Sequence, residues 1–251
     1  MSRFIVITSG KGGVGKTTTA VNLATAMSTF DEDVMLVDIN LTTPNVGLHL
    51  GAPVVPVTLN HILSGKAELV DAIYEHDSGA KVIPASLSIN ELKKLDKVDL
   101  IPLARDLRQI SDIVIFDSAA GLGEEAVDAI SIADEIIIVT NPEMPAVTDA
   151  LKTAKLAEEL GKDVKGVIIT RVKNSKSEMS IASIREMLEL PIIGIVPEDE
   201  HVSEALAMRN SVFSSFPNSK AAHSYVEIAA KILGKPIPKR QGFFSRFFGL
   251  G

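Results

Sequence analysis

Eight residues near the start of the chain, Gly10-Lys-Gly-Gly-Val-Gly15-Lys16-Thr17, have the types and the spacing to hold a chain of phosphates. They fit G-x-x-x-x-G-K-[ST], between an apolar run, Phe4–Thr8, and a stretch with helical periodicity. Gly10, Gly12, Gly13 and Gly15 let successive backbone N–H groups converge on phosphate oxygens at a helix N-terminus, where the helix dipole also favours negative charge. Lys16 is expected on the β- and γ-phosphates and the Thr17 hydroxyl in a Mg2+ shell. An empty glycine turn has no reason to place a lysine and a threonine directly after its last glycine. A second acid supports the same chemistry: the run Ile113-Val-Ile-Phe116 ends in Asp117, whose carboxylate is placed to hold Mg2+ through water.

Elements must bring these residues together. Short Val- and Ile-rich runs without clean alternation read as strands buried on both faces: Phe4–Thr8, Val34–Asp38, Lys81–Ile83, Asp112–Asp117, Glu135–Thr140, Val164–Thr170 and Ile192–Val196. Between them, Thr17–Ser28, Glu124–Ala133, Ala146–Leu160 and Ser180–Leu190 have helical periodicity. This alternation predicts an α/β fold, a doubly wound, mostly parallel sheet with helices on both faces. Residues 1–233 read as one nucleotide-binding domain without internal repeats. Residues 234–242, with Pro236, Pro238 and three basic side chains, read as a linker, and 243–251 as a separate short element.

Composition narrows the function. The 251 residues carry 32 acidic and 25 basic side chains, a net charge of −7, so a broadly basic nucleic-acid surface is not expected. The absence of cysteine excludes disulfides, cysteine-ligated zinc, iron–sulfur clusters and thiol nucleophiles. Mean hydropathy is high, +0.24. Every apolar run nevertheless stops short of the roughly 18 to 20 residues that span a bilayer, and the N-terminus has no signal-peptide pattern, so a cytoplasmic protein is expected.

The loop Lys11-Gly-Gly-Val-Gly-Lys-Thr17, with Val34–Asp38, Asp117-Ser-Ala-Ala-Gly121 and Pro197-Glu-Asp199, resembles the deviant Walker A ATPases of the MinD/ParA family, and among them its MinD-like members. The resemblance runs over about residues 3 to 233 and returns at the tail. It implies a P-loop ATPase that binds ATP and Mg2+ and pairs as an ATP-sandwich homodimer, with Lys11 reaching the nucleotide of the facing subunit. By the same resemblance Thr18 lies beside the phosphates, and Thr170-Arg171 and Pro197–Asp199 border the adenine. A threonine stands here where the family carries an asparagine before that arginine.

A second departure bears on rate. The family reads Asp-x-Asp after the second strand; this chain reads Asp38-Ile39-Asn40. Asn40 can orient water through its carbonyl but cannot accept its proton. Phosphoryl transfer leans mainly on positioning and charge, so turnover is expected to be slow rather than absent. Ala119, where relatives often have proline, is a milder departure.

The tail crowds Phe243, Phe244, Phe247 and Phe248 with Leu250 into an arc of about 160° on a helical wheel, with Arg246 at its edge. Lys239, Arg240 and Arg246 set positive charge beside that face, as an interfacial helix on anionic lipid would. Each buried phenylalanine contributes about 1.5–3 kcal/mol gross, while ordering costs about 1–2 kcal/mol per residue. One tail therefore binds marginally, and two on a dimer gain about 10²–10⁴ in avidity. These features fit an ATPase at the inner face of the cell membrane that positions partner proteins, for division-site selection or for motility or chemosensory machinery. A DNA-partitioning ATPase and an ATP-binding scaffold with little turnover are the competing readings. The histidines show no paired metal spacing, and Glu124 with Glu125 reads as a helix N-terminus.

Overall fold

The computed structural model describes residues 2–95 and 98–238. Valine and isoleucine runs unbroken by polar residues leave a strand no wet side, and the sheet they build here is covered on both faces. Its strands are β1 (Arg3–Ser9), β2 (Val34–Asp38), β3 (Tyr74–Glu75), β4 (Lys81–Ile83), β5 (Ile113–Ala120), β6 (Glu135–Thr140), β7 (Val164–Val172) and β8 (Ile192–Pro197). They lie in the order β3-β4-β2-β5-β1-β6-β7-β8, all parallel except β3 on β4. The expected α/β architecture is the observed one.

Helices of eight residues or more are α1 (Lys16–Met27), α2 (Leu100–Leu107), α3 (Glu124–Ile132), α4 (Met144–Glu159), α5 (Ile181–Leu188), α6 (Glu200–Ala207) and α7 (Lys220–Leu233). The side-chain period of two divides them between the faces. Ile5 and Ile7 of β1 join one apolar layer with α1 and α7, while Phe4 and Val6 join the other with α2 to α5. Phe4 also meets Phe116 edge to face, ring centroids 5.2 Å apart.

One strand runs further than the sequence reading expects, and one is not expected at all. β5 continues past Asp117 to Ala120, because the β1 register slips between Ile7 and Ser9 and Ser9 goes on to pair with Ala120. Strand β3 has two residues, too few for any periodicity. Among the described residues no helix is long and apolar enough to cross a membrane.

Candidate functional site

The site lies at the carboxyl edge of the sheet, where β1, β2 and β5 end side by side. Asp117 is the register partner of both Asp38 on β2 and Ile7 on β1, so the two aspartates face the loop that leaves β1. That loop is held by backbone geometry. Gly15, at φ 90°, turns the chain into α1, whose first turn contains no acidic side chain to occupy the orphan N–H groups. Gly10 answers to packing as well as to phosphate: a Cβ there would stand 2.1 Å from the carbonyl oxygen of Asp149 on α4. The Thr170 hydroxyl, from β7, donates to the Val14 carbonyl at 2.6 Å and pins the middle of the loop.

Lys16 and Thr17 meet on one carboxylate. Lys16 Nζ donates to Asp117 Oδ1 at 3.0 Å and Thr17 Oγ1 to Asp117 Oδ2 at 2.6 Å. The ammonium keeps two further donors for phosphate oxygens, and the hydroxyl keeps a lone pair for a cation. Asp117 and Lys16 are buried, and this pairing satisfies charges that would otherwise be costly to bury. A hydroxyl beside the Asp117 carboxylate is a hard-oxygen donor pair that suits Mg2+. Among the described residues no cluster of three or more acids and histidines could hold a metal by itself, so a cation here would depend on phosphate and water oxygens for the rest of its shell.

Asp38 is fully buried. Its Oδ2 accepts the backbone N–H groups of Asn45 and Val46, both at 3.0 Å, and Oδ1 accepts that of Asn40 at 3.2 Å. Burial, then the nearby Asp117 charge, push its carboxyl up to about 8 against the pull of those donors. The Asn40 side chain is tied within its own loop: Nδ2 donates to the Thr43 carbonyl at 2.8 Å, and Oδ1 accepts from the Thr43 hydroxyl at 3.1 Å.

Two cavities flank the loop. One, of about 200 Å³, has Gly15, Thr18, Arg171, Pro197 and Asp199 in its wall, and so gathers the residues expected around a base and its sugar. Arg171 takes a left-handed backbone there, φ 56°. The Asp199 carboxylate is otherwise engaged: it caps α6 at His201 N and accepts from Ala221 N at 3.0 Å, so it shapes this wall rather than offering a free acceptor. The other cavity, of about 360 Å³, is lined by Lys11, Gly12, Gly13 and Val14. Lys11 is 45% exposed and faces Glu143 at 3.8 Å. The predicted membrane residues Phe243, Phe244, Arg246, Phe247, Phe248 and Leu250 lie outside the described residues.

Three contributors escaped the sequence reading. Tyr225 of α7 lines the cavity of about 200 Å³, its hydroxyl 3.4 Å from Thr19, and burial pushes its phenol up to about 12. His49 links Thr18, at 3.4 Å, to the Asn45 carbonyl, at 2.9 Å. Glu125 accepts a hydrogen bond from Thr42 in the loop that follows Asp38. None has a local signature, because each is brought to the site from a distant element.

Comparison with known proteins agrees with this geometry. The family described as the CobQ/CobB/MinD/ParA nucleotide binding domain matches residues 5–212. An uncharacterized ATP-binding protein of Methanocaldococcus jannaschii is 40% identical over 98% of this chain and 96% of its own length. The antiactivator FleN of Pseudomonas aeruginosa is 30% identical over 97% of this chain and 91% of its own. The septum site-determining protein MinD of Pyrococcus horikoshii, solved in complex with Mg-ADP, superposes with a TM-score of 0.88 at 31% identity, covering 92% of this chain and 96% of that one. With the matched domain spanning the loop, both aspartates and the sheet that aligns them, the chain belongs to the MinD/ParA family of ATPases.

Proposed function

We propose that this chain is a spatial regulator that hydrolyses ATP, pairs as a homodimer on Mg·ATP, attaches to the inner face of the cell membrane through residues 243–251 and positions a partner protein. Division-site selection is the leading role. The observation that carries this reading is the meeting of Lys16 and Thr17 on the Asp117 carboxylate below the phosphate loop, with Asp38 as the register partner of Asp117.

Lys16, Thr17 and the Gly12–Gly15 backbone would bind the phosphates, and Thr17 with Asp117, the latter through water, would hold Mg2+. That ion, when bound, neutralises charge on the β- and γ-phosphates. Thr18, Arg171, Pro197 and Asp199 would frame the nucleoside. Lys11 makes an exposed pair with Glu143, worth about 0–1 kcal/mol, so it can leave that partner for the phosphates of a facing subunit. Dimerisation then depends on the γ-phosphate, and membrane attachment on dimerisation.

Sedimentation with anionic liposomes tests the cycle. Full-length protein should pellet with Mg·ATP and stay in solution with Mg·ADP, whereas a chain ending at Pro238 should stay in solution with either. Pelleting that ignores both nucleotide and tail would exclude the mechanism. Turnover is expected to be slow, because Asn40 offers no proton acceptor and its amide is tied to Thr43. Asn40→Asp should therefore raise kcat several-fold, measured as phosphate release with lipid present, and an unchanged or lower kcat would overturn the explanation.

A further inference from the structure

The acids of the described site are already committed. Asp38 takes three backbone N–H groups, and Asp117 takes Lys16 and Thr17. The Asn40 amide is closed on Thr43. Glu125, in the first turn of α3, stands apart from these. Its Oε1 accepts the Thr42 hydroxyl, while its Oε2 is buried and has no hydrogen-bond partner among the described residues. A buried carboxylate oxygen without a donor costs free energy and calls for a reason. Its neighbour Glu124 is exposed and Glu125 as a whole is half-buried, so it is the one covered oxygen of Glu125 that needs explaining.

The contact spans the two segments that carry the aspartates. Thr42 lies in the loop between Asp38 and Val46, whose backbone donates to Asp38. Glu125 follows Asp117 by way of the Gly121–Gly123 turn, and Asp38 and Asp117 are register partners. The Thr42–Glu125 bond therefore ties the loop after β2 to the helix after β5 at the edge of the sheet where phosphate is expected.

We propose that Glu125 is a positioning residue for ATP hydrolysis: through Thr42 it fixes the 39–45 loop, and its free oxygen brings to that loop the negative charge that Asn40 does not carry. This inference rests on the ATPase reading above. It requires two separable properties of Glu125, an acceptor for Thr42 and a charge. Glu125→Gln keeps the acceptor and removes the charge. Glu125→Ala removes both, and Thr42→Val removes the donor.

Two measurements on the full-length protein distinguish them. In hydrogen–deuterium exchange without nucleotide, peptides covering 39–46 should exchange several-fold faster in Glu125→Ala and Thr42→Val, and at the unaltered rate in Glu125→Gln. In phosphate-release kinetics with Mg·ATP, Glu125→Gln should lower kcat about tenfold with KM unchanged, the pattern of an interaction made in the transition state. In the Asn40→Asp background Glu125→Gln should cost far less than that, so that the double variant turns over near the rate of Asn40→Asp alone, a coupling that a merely structural glutamate would not give. Glu125→Gln turning over at the full rate, or a Glu125→Gln loss as large in the Asn40→Asp background as in the parent, overturns the proposal while leaving the ATPase reading intact. Unaltered exchange in Glu125→Ala overturns the role assigned to Thr42. An unsubstituted protein that releases no phosphate from Mg·ATP sinks the ATPase reading and the proposal with it.

Discussion

Asp38 has no exposed surface, and its carboxyl is pushed up to about 8 by burial and the Asp117 charge. Since the same carboxyl titrates near 3.8 when unfolded, the folded protein retains a proton that the unfolded chain releases. Its contribution to stability is complete below pH 3.8 and declines as pH rises toward 8, by at most about 1.4 kcal/mol per pH unit for one proton. Without nucleotide and with EDTA, the melting temperature is expected to fall between pH 6 and 8.5. Asp38→Asn should lose that part of the slope. His76, held below its usual range by burial, contributes the opposite trend near its own titration, and the variant shares it. Equal slopes in a thermal-shift series across these buffers would contradict the assignment. The phosphate-loop residues were legible at this scale because their types and spacing are local. Glu125 was not: the adjacent pair Glu124-Glu125 reads as an ordinary helix start, and only the loop folded back from β2 distinguishes one glutamate from the other.

At the scale of elements, Asp199 shows a side chain whose place was legible and whose work was not. Pro197 and Asp199 do line the cavity of about 200 Å³ beside the phosphate loop, yet the Asp199 carboxylate caps α6 and receives the first turn of α7 through Ala221. An N-cap is worth about 0.5–2 kcal/mol, and this one serves two helices. Asp199→Ala should thus destabilise the protein by about 1–2 kcal/mol in urea unfolding, while nucleotide affinity changes less than the loss of Lys16 would change it. A variant as stable as the parent would show that Ala221 and His201 find other partners. The long buried strands were readable because unbroken valine and isoleucine runs have one stable destination, the inside of a parallel sheet. β3 was unreadable because two residues carry no period, and the extension of β5 because it follows from a register slip against β1.

For the molecule as a whole, the body holds the chain a little beyond α7. Gly234 ends α7 in a left-handed conformation. Lys235 then turns back, its ammonium donating to the Phe30 carbonyl and pairing with Glu32 at 2.6 Å. A chain ending at Pro238 keeps these contacts and should melt with the full-length protein. One ending at Gly234 loses them and should melt about 2–4 °C lower, the shift that about 1 kcal/mol produces in a protein of this size. Identical melting of the two shortened chains in calorimetry would mean that the Lys235 contacts contribute nothing. The meeting of Gly10 with α4 sets a one-sided limit on how such a sequence can drift. Residue 149 approaches through its backbone carbonyl and its Cβ, which almost every residue type carries, so its identity is far less restricted than that of residue 10, where any side chain would collide. The invariance expected at position 10 is then the signature of a helix pressed against a loop, and would persist in a descendant that had given up its nucleotide.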